Sequence, residues 1–223
     1  MIRAFIFDFD GTLMDTEILW VKAVEQYLCD QGKKISYDDA VSIVYGKSWL
    51  DVYDRIVSVS SQTDVSVAQM ELDLRKRMLA LRNGQNAAIP GSVELLKHLS
   101  VEYPVCIVSG APSADLKAAV DELQIWDNLD FILAAEDYGR GKPDPGCFLM
   151  AADKLGVSPS ECLVFEDSAA GINGAKRAGM TAVALVRPGL PEQDVSNADL
   201  VLSNLSDFSL KNINCNYNRS EDV

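Results

Sequence analysis

The sequence predicts an α/β protein in which buried parallel strands alternate with helices and an all-helical block is inserted after the first strand. Three observations carry this. Short apolar runs, Ala4-Phe5-Ile6-Phe7, Val105-Cys106-Ile107-Val108 and Cys162-Leu163-Val164-Phe165, each lead into polar residues, as strands buried on both faces do. Between them apolar residues recur at helical spacing. From Thr16 to Gly84 no strand signal interrupts that spacing.

With 223 residues the chain has room for a sizeable core, as one large domain or a domain with an insertion. Its 48% hydrophobic and 24% charged residues fit an ordinary soluble globular protein. A formal net charge of −13 argues against non-specific binding to nucleic acid or an anionic membrane, so any phosphate must be held by a local positive site. Met1 runs directly into the first strand with no signal-peptide pattern, and no apolar stretch reaches membrane-span length; a cytoplasmic protein is expected. The 5 cysteines are scattered without a Cys-x-x-Cys pair, which suggests neither zinc nor a disulfide framework, and Cys106 and Cys162 read as core packing. The single histidine, His98, lies in a helical pattern and excludes a multi-histidine metal centre.

The first strand ends in Asp8-Phe9-Asp10-Gly11. Side chains two apart on an extended chain point the same way, so Asp8 and Asp10 project together into a loop of the kind where open α/β sheets keep their active sites. At about 4 Å and an effective dielectric near 20 their repulsion is on the order of 4 kcal/mol, so the pair needs a shared proton, a metal ion or a basic partner. An exposed strand end with a helix cap would explain a lone Asp-x-Asp. The longer string Asp8-Phe9-Asp10-Gly11-Thr12-Leu13-Met14-Asp15-Thr16, however, resembles the nucleophile motif of the haloacid dehalogenase (HAD) superfamily, in its phosphatase and β-phosphoglucomutase-like branch. The resemblance implies that Asp8 is the nucleophile and Asp10 the acid/base, with Mg²⁺ between the acids and the phosphate.

After Thr16, Ile18, Leu19, Val21, Val24, Tyr27 and Leu28 repeat at helical spacing until Gly32. Helical stretches follow at Tyr37 to Tyr45, Trp49 to Ser58 and Val65 to Leu81. This block, 15–87, looks like the cap domain of the branch with an insertion after the first motif, and leaves 1–14 and 88–223 as the core domain. Hinges are expected at Met14 to Thr16 and Gly84 to Pro90. Gly46-Lys47-Ser48 is not a Walker loop, because Val41 stands where the first glycine is required. The cluster Arg75, Lys76, Arg77 and Arg82 reads as a solvated helix face ahead of a substrate clamp.

Pro90-Gly91 opens a helix through Leu99, and the next strand ends in Ser109-Gly110-Ala111. A hydroxyl there can cap the following helix. In the family it donates to the phosphoryl group, and backbone N–H groups of Gly110 and Ala111 add candidate donors. A helix from Ser113 to Leu123 precedes a strand, Phe131 to Ala134, and then Gly139-Arg140-Gly141-Lys142-Pro143-Asp144-Pro145. This resembles the family's Gly-Lys-Pro-x-Pro motif, which makes Lys142 the cation that offsets the acids and binds a phosphate oxygen. A helix from Phe148 to Leu155 leads to the strand that ends in Glu166-Asp167-Ser168, matching the metal-binding motif; small residues Ala169, Ala170 and Gly171 let the next helix start close to the sheet. Thr181 to Val186 reads as a fifth strand, Asp199 to Leu202 as a short edge strand, and the last fifteen residues as a polar tail.

These motifs occur in the family's order from Asp8 to Asp167. The resemblance implies a doubly wound, mostly parallel, Rossmann-like sheet with a four-helix cap over its carboxyl ends. It implies a Mg²⁺-dependent phosphatase of small phosphorylated metabolites, with Asp8, Asp10, Glu166 and Asp167 as the metal set and Ser109, Gly110 and Lys142 as phosphate ligands. A monomer is expected, with neither nucleic acid nor membrane as partner. A dehalogenase would not need Asp10 or the Glu166-Asp167 pair, and a non-catalytic relative would have lost one of Asp8, Asp10, Lys142 or Asp167. Lys47, Ser48 and Trp49 are the cap residues expected to face the core, though Trp49 would serve equally as cap core. A β-phosphoglucomutase carries a histidine where this chain has Trp20 and a cap arginine where it has Trp49, which favours hydrolysis over mutase chemistry.

Overall fold

A computed structural model describes residues 1–45, 49–60, 64–82 and 87–217, the side chains of 49 and 214–217 excepted. Its apolar runs all join one sheet. Strands β1 (Ala4–Phe7), β2 (Val105–Val108), β3 (Phe131–Leu133), β4 (Cys162–Glu166), β5 (Thr181–Leu185) and β6 (Leu200–Leu202) lie in the order β3-β2-β1-β4-β5-β6, every pairing parallel. Helices α1 (Thr16–Asp30), α2 (Tyr37–Val44), α3 (Trp49–Ser60) and α4 (Val67–Arg82) precede β2 together with α5 (Ser92–Leu99). Helices α6 (Ser113–Leu123), α7 (Gly146–Leu155), α8 (Ala169–Arg177) and α9 (Leu210–Tyr217) follow. The chain divides into two compact units, one of Met1–Met14 with Ala88 onward, the other of Asp15–Ala87.

β1 is central, so its alternate side chains are buried on both faces of the sheet. Ala4 and Ile6 join Cys106, Val108, Cys162, Val164 and Phe148 in one apolar cluster, which puts both strand cysteines in the core as expected. On the opposite face Phe7 stacks on Phe165 at 4.6 Å between centroids, and Phe208 meets Phe165 edge-on at 4.9 Å. Each such buried ring contributes on the order of 2 kcal/mol from area alone. The register pairs Phe7 with Ile107 on one side and Phe165 on the other. Asp8 and Glu166 follow directly and Ser109 comes one residue further along on β2, so the three emerge together at the carboxyl edge, where the strand order reverses direction.

The second unit is a helical bundle. Leu19, Val24 and Leu28 of α1 are buried, as are Ala40 and Ile43 of α2, Val52 and Ile56 of α3, and Met70, Leu74 and Met78 of α4. Ser36 and Asp39 form a capping box that starts α2, and Asp15 caps α1 by accepting the Ile18 N–H. Arg77 reaches from α4 to Asp30 of α1 at 2.6 Å and lies 5.6 Å from the Tyr27 ring centroid, a structural tie rather than a free clamp.

One expectation is corrected. The residues read as a polar tail include α9 (Leu210–Tyr217). Leu210 and Ile213, three apart, supply a narrow apolar stripe and Ile213 is buried, while alternating asparagines hide that stripe from a composition count. Lys47 and Ser48, and the part of the second hinge at 84–86, lie outside the described residues; Trp49 begins α3, with its side chain likewise outside them.

Candidate active site

Asp8 is buried immediately beyond β1, its N–H donating to the Phe165 carbonyl at 2.9 Å in continuation of the β1–β4 ladder. Its Oδ1 accepts from Lys142 Nζ at 2.5 Å. Its Oδ2 is buried without a hydrogen-bond partner among the described residues. Lys142 arrives on the loop between β3 and α7, next to a cis Lys142-Pro143 peptide, and donates also to Glu166 Oε1 at 2.7 Å and to the Val108 carbonyl at 3.0 Å. The Phe148 ring centroid lies 5.4 Å from the same ammonium, and Arg177 donates to the Pro143 carbonyl at 3.3 Å.

Glu166, the last residue of β4, is 1% exposed and fully engaged. Besides Lys142 on Oε1, its Oε2 accepts from the Asp167 N–H, the Ser168 N–H and the Ser168 hydroxyl at 2.8 to 2.9 Å. Ser168 Oγ in turn accepts the Gly171 N–H, capping α8. Gly171 is required by close approach, because a methyl group there would overlap the Glu166 carboxylate. Gly11 is required twice over: its φ of 86° lies in the left-handed region, and a side chain would run into the Asp167 carboxylate.

Carboxylate oxygens of Asp8, Glu166 and Asp167 lie within 4.8 Å of one another. Burial lifts the Asp8 carboxyl well above the ordinary carboxylate range against the pull of Lys142, and Glu166 and Asp10 add to the rise. Burial alone would lower Lys142, but Asp8 and Glu166 more than reverse that and keep it a cation. Excess negative charge, hard oxygen donors and the orphaned Asp8 Oδ2 together fit Mg²⁺.

Ser109 is buried at the end of β2. Its hydroxyl donates to Asp10 Oδ2 at 3.1 Å and accepts the Ala111 N–H at 3.0 Å, a link to the second acid that the sequence does not announce. Gly110 follows with open space where a side chain would stand. Thus Asp8, Asp10, Ser109, Gly110, Lys142, Glu166 and Asp167 converge at one sheet edge. Trp20 is half-buried on α1 in the other unit, and His98 is exposed on α5. Sequence reasoning missed Tyr138, whose hydroxyl donates to the Ser109 carbonyl at 2.8 Å, and the Phe148 ring; neither belongs to a local pattern that marks it.

The family model described as haloacid dehalogenase-like hydrolase matches residues 5–185. The chain belongs to that family. Among its relatives, a probable pseudouridine-5'-phosphatase of Drosophila melanogaster is 32% identical over 216 residues, covering 91% of this chain and 90% of the relative. Hexitol phosphatase A of Escherichia coli is 27% identical, covering 93% and 94%. A crystal structure of β-phosphoglucomutase from Clostridium difficile is 27% identical with a TM-score of 0.74, covering 99% of both chains. The chain is thus a HAD hydrolase of the phosphatase and phosphomutase branch, built on a Rossmann-like parallel sheet.

Proposed function

We propose that the protein is a Mg²⁺-dependent phosphatase that hydrolyses small phosphate monoesters of the sugar-phosphate kind through an aspartyl phosphate on Asp8. The observation that carries this is the state of Asp8: one oxygen is fixed by Lys142, and the other is buried, without a partner among the described residues and beside two more acids. The relatives named for pseudouridine-5'-phosphate and hexitol phosphate hydrolysis support a hydroxyl-rich monoester as substrate class.

Asp8 and Asp167, with the Asp10 backbone carbonyl, would hold the cation; Glu166, with four hydrogen bonds already on its oxygens, braces Lys142 and the Asp167 N–H instead. When bound, Mg²⁺ neutralises charge on the phosphoryl oxygens. The remaining work falls to the chain's own groups. The Asp8 carboxylate forms a bond to phosphorus as the bond to the leaving oxygen breaks, and the Asp10 carboxyl gives that oxygen its proton. Lys142 takes the transferring oxygens, joined by the Ser109 hydroxyl when its proton turns from Asp10 to the phosphoryl group. Asp10, now ionised, removes a proton from water; the water oxygen bonds to phosphorus, the bond to Asp8 breaks, and phosphate leaves. The Ser109 bond to Asp10 restrains the acid near the group it serves.

A panel of sugar phosphates and p-nitrophenyl phosphate, assayed with Mg²⁺ and with EDTA, tests the reading. Phosphate release is expected only with the metal, and equal rates in both would remove the metal role. Incubation with β-glucose 1-phosphate and a trace of the 1,6-bisphosphate separates the mutase alternative, which would accumulate glucose 6-phosphate without matching phosphate release.

A further inference from the structure

We propose, on the phosphatase reading above, that Tyr138 is a positioning residue for the Ser109 hydroxyl, which it fixes against the loop that carries Lys142. β2 pairs with β3 as far as Val108 and Leu133, and Ser109 adds one last ladder bond through its N–H to the Leu133 carbonyl at 2.9 Å. The Ser109 carbonyl lies beyond the ladder. Tyr138 supplies its donor at 2.8 Å, while Lys142 donates to the carbonyl just before it, that of Val108, at 3.0 Å. The loop between β3 and α7 is therefore tied to consecutive carbonyls at the end of β2 by the tyrosine and by the lysine four residues later.

The tie leaves Ser109 little freedom. Its N–H, carbonyl, and both roles of its hydroxyl are all committed, and the residue is buried. The tyrosine itself is well anchored. Its ring packs partly buried against the apolar cluster of that sheet face, and the turn before it is fixed by the Asp137 carboxylate accepting the Ala134 N–H at 2.7 Å. Burial pushes the phenol up to about 12, so the hydroxyl stays a donor throughout the neutral range. Because Tyr138 acts through Ser109, its removal lowers the rate of the chemical step more than it weakens substrate binding.

Tyr138→Phe keeps the ring and removes only the hydroxyl. With p-nitrophenyl phosphate and Mg²⁺ its kcat is expected to fall about fivefold to tenfold with KM changed less than about twofold, the loss of one hydrogen bond felt mainly in the transition state. In a Ser109→Ala background the same substitution is expected to change kcat by less than about twofold, since the group it positions is gone. An unchanged kcat in Tyr138→Phe, or an equal loss in both backgrounds, would overturn the inference and leave the phosphatase reading standing. A wild-type protein that releases no phosphate from any monoester with Mg²⁺ would overturn the reading and the inference with it.

Discussion

Gly171→Ala sets two effects of opposite sign against each other. Gly171 sits in the first turn of α8, and helix propensity alone predicts that alanine stabilises by about 1 kcal/mol. The structure predicts the reverse, because the new methyl group would occupy the space of the Glu166 carboxylate. That carboxylate accepts from Lys142, from two backbone N–H groups and from the Ser168 hydroxyl. Each bond to a charged group is worth about 1.5–3 kcal/mol net, so losing two of them costs about 3–6 kcal/mol. Subtracting the helix gain leaves a destabilisation of roughly 2–5 kcal/mol, or on the order of 10 °C in Tm for a chain of this size. Thermal and urea unfolding followed by circular dichroism measure it. Lys142 also loses its brace, so kcat is expected to fall at least about tenfold, as for misplaced groups generally. A variant as stable as wild type or more so would refute the packing argument at Glu166.

Three further outcomes are expected. Asp8→Asn should abolish turnover while leaving the fold intact, since an amide is no nucleophile; retained hydrolysis would mean that water attacks phosphorus directly. Thr12→Val replaces a buried hydroxyl that has no partner among the described residues with a methyl group of the same shape, and urea titration should show a gain of about 1 kcal/mol; a loss would reveal a partner for that hydroxyl. Arg77→Ala should lower stability by no more than about 1 kcal/mol, because Asp30 is largely exposed, and leave KM for p-nitrophenyl phosphate unchanged; a large rise in KM would restore the arginine cluster as a substrate clamp.

Much of this site is legible because strand period and loop chemistry are local. Phe7 must point inward, so Asp8 is fixed at a strand end; Glu166 is placed by the same reasoning on β4. What stays hidden is anything that depends on where a loop returns. Nothing near Tyr138 announces that its hydroxyl meets the Ser109 carbonyl, because that meeting is created by the path of the loop after β3. Lys142 reads as a partner for acids, but that it spans both Asp8 and Glu166 follows only from the sheet order, which sets β1 beside β4. The small residues after Ser168 are visible as a group; that Gly171 in particular faces the carboxylate depends on the phase at which α8 begins. At the other end of the chain the apolar spacing of Leu210 and Ile213 is too short a signal to outweigh the polar residues around it.

The central place of β1 also bears on how the protein is made. Asp8 leaves the ribosome before the strands that flank it, so its own strand has no neighbour until β2 emerges and no second neighbour until β4 does. The residues between β1 and β2 include a bundle with its own buried core, whose contacts are local and quick to form, whereas the pairing of β1 is long-range and slow. Synthesis therefore delivers Asp8 well before Lys142, which binds it, and Glu166, which shares that lysine. On the proposed mechanism the site is incomplete until Glu166 is in place, so the order of translation would keep an unfinished chain chemically silent.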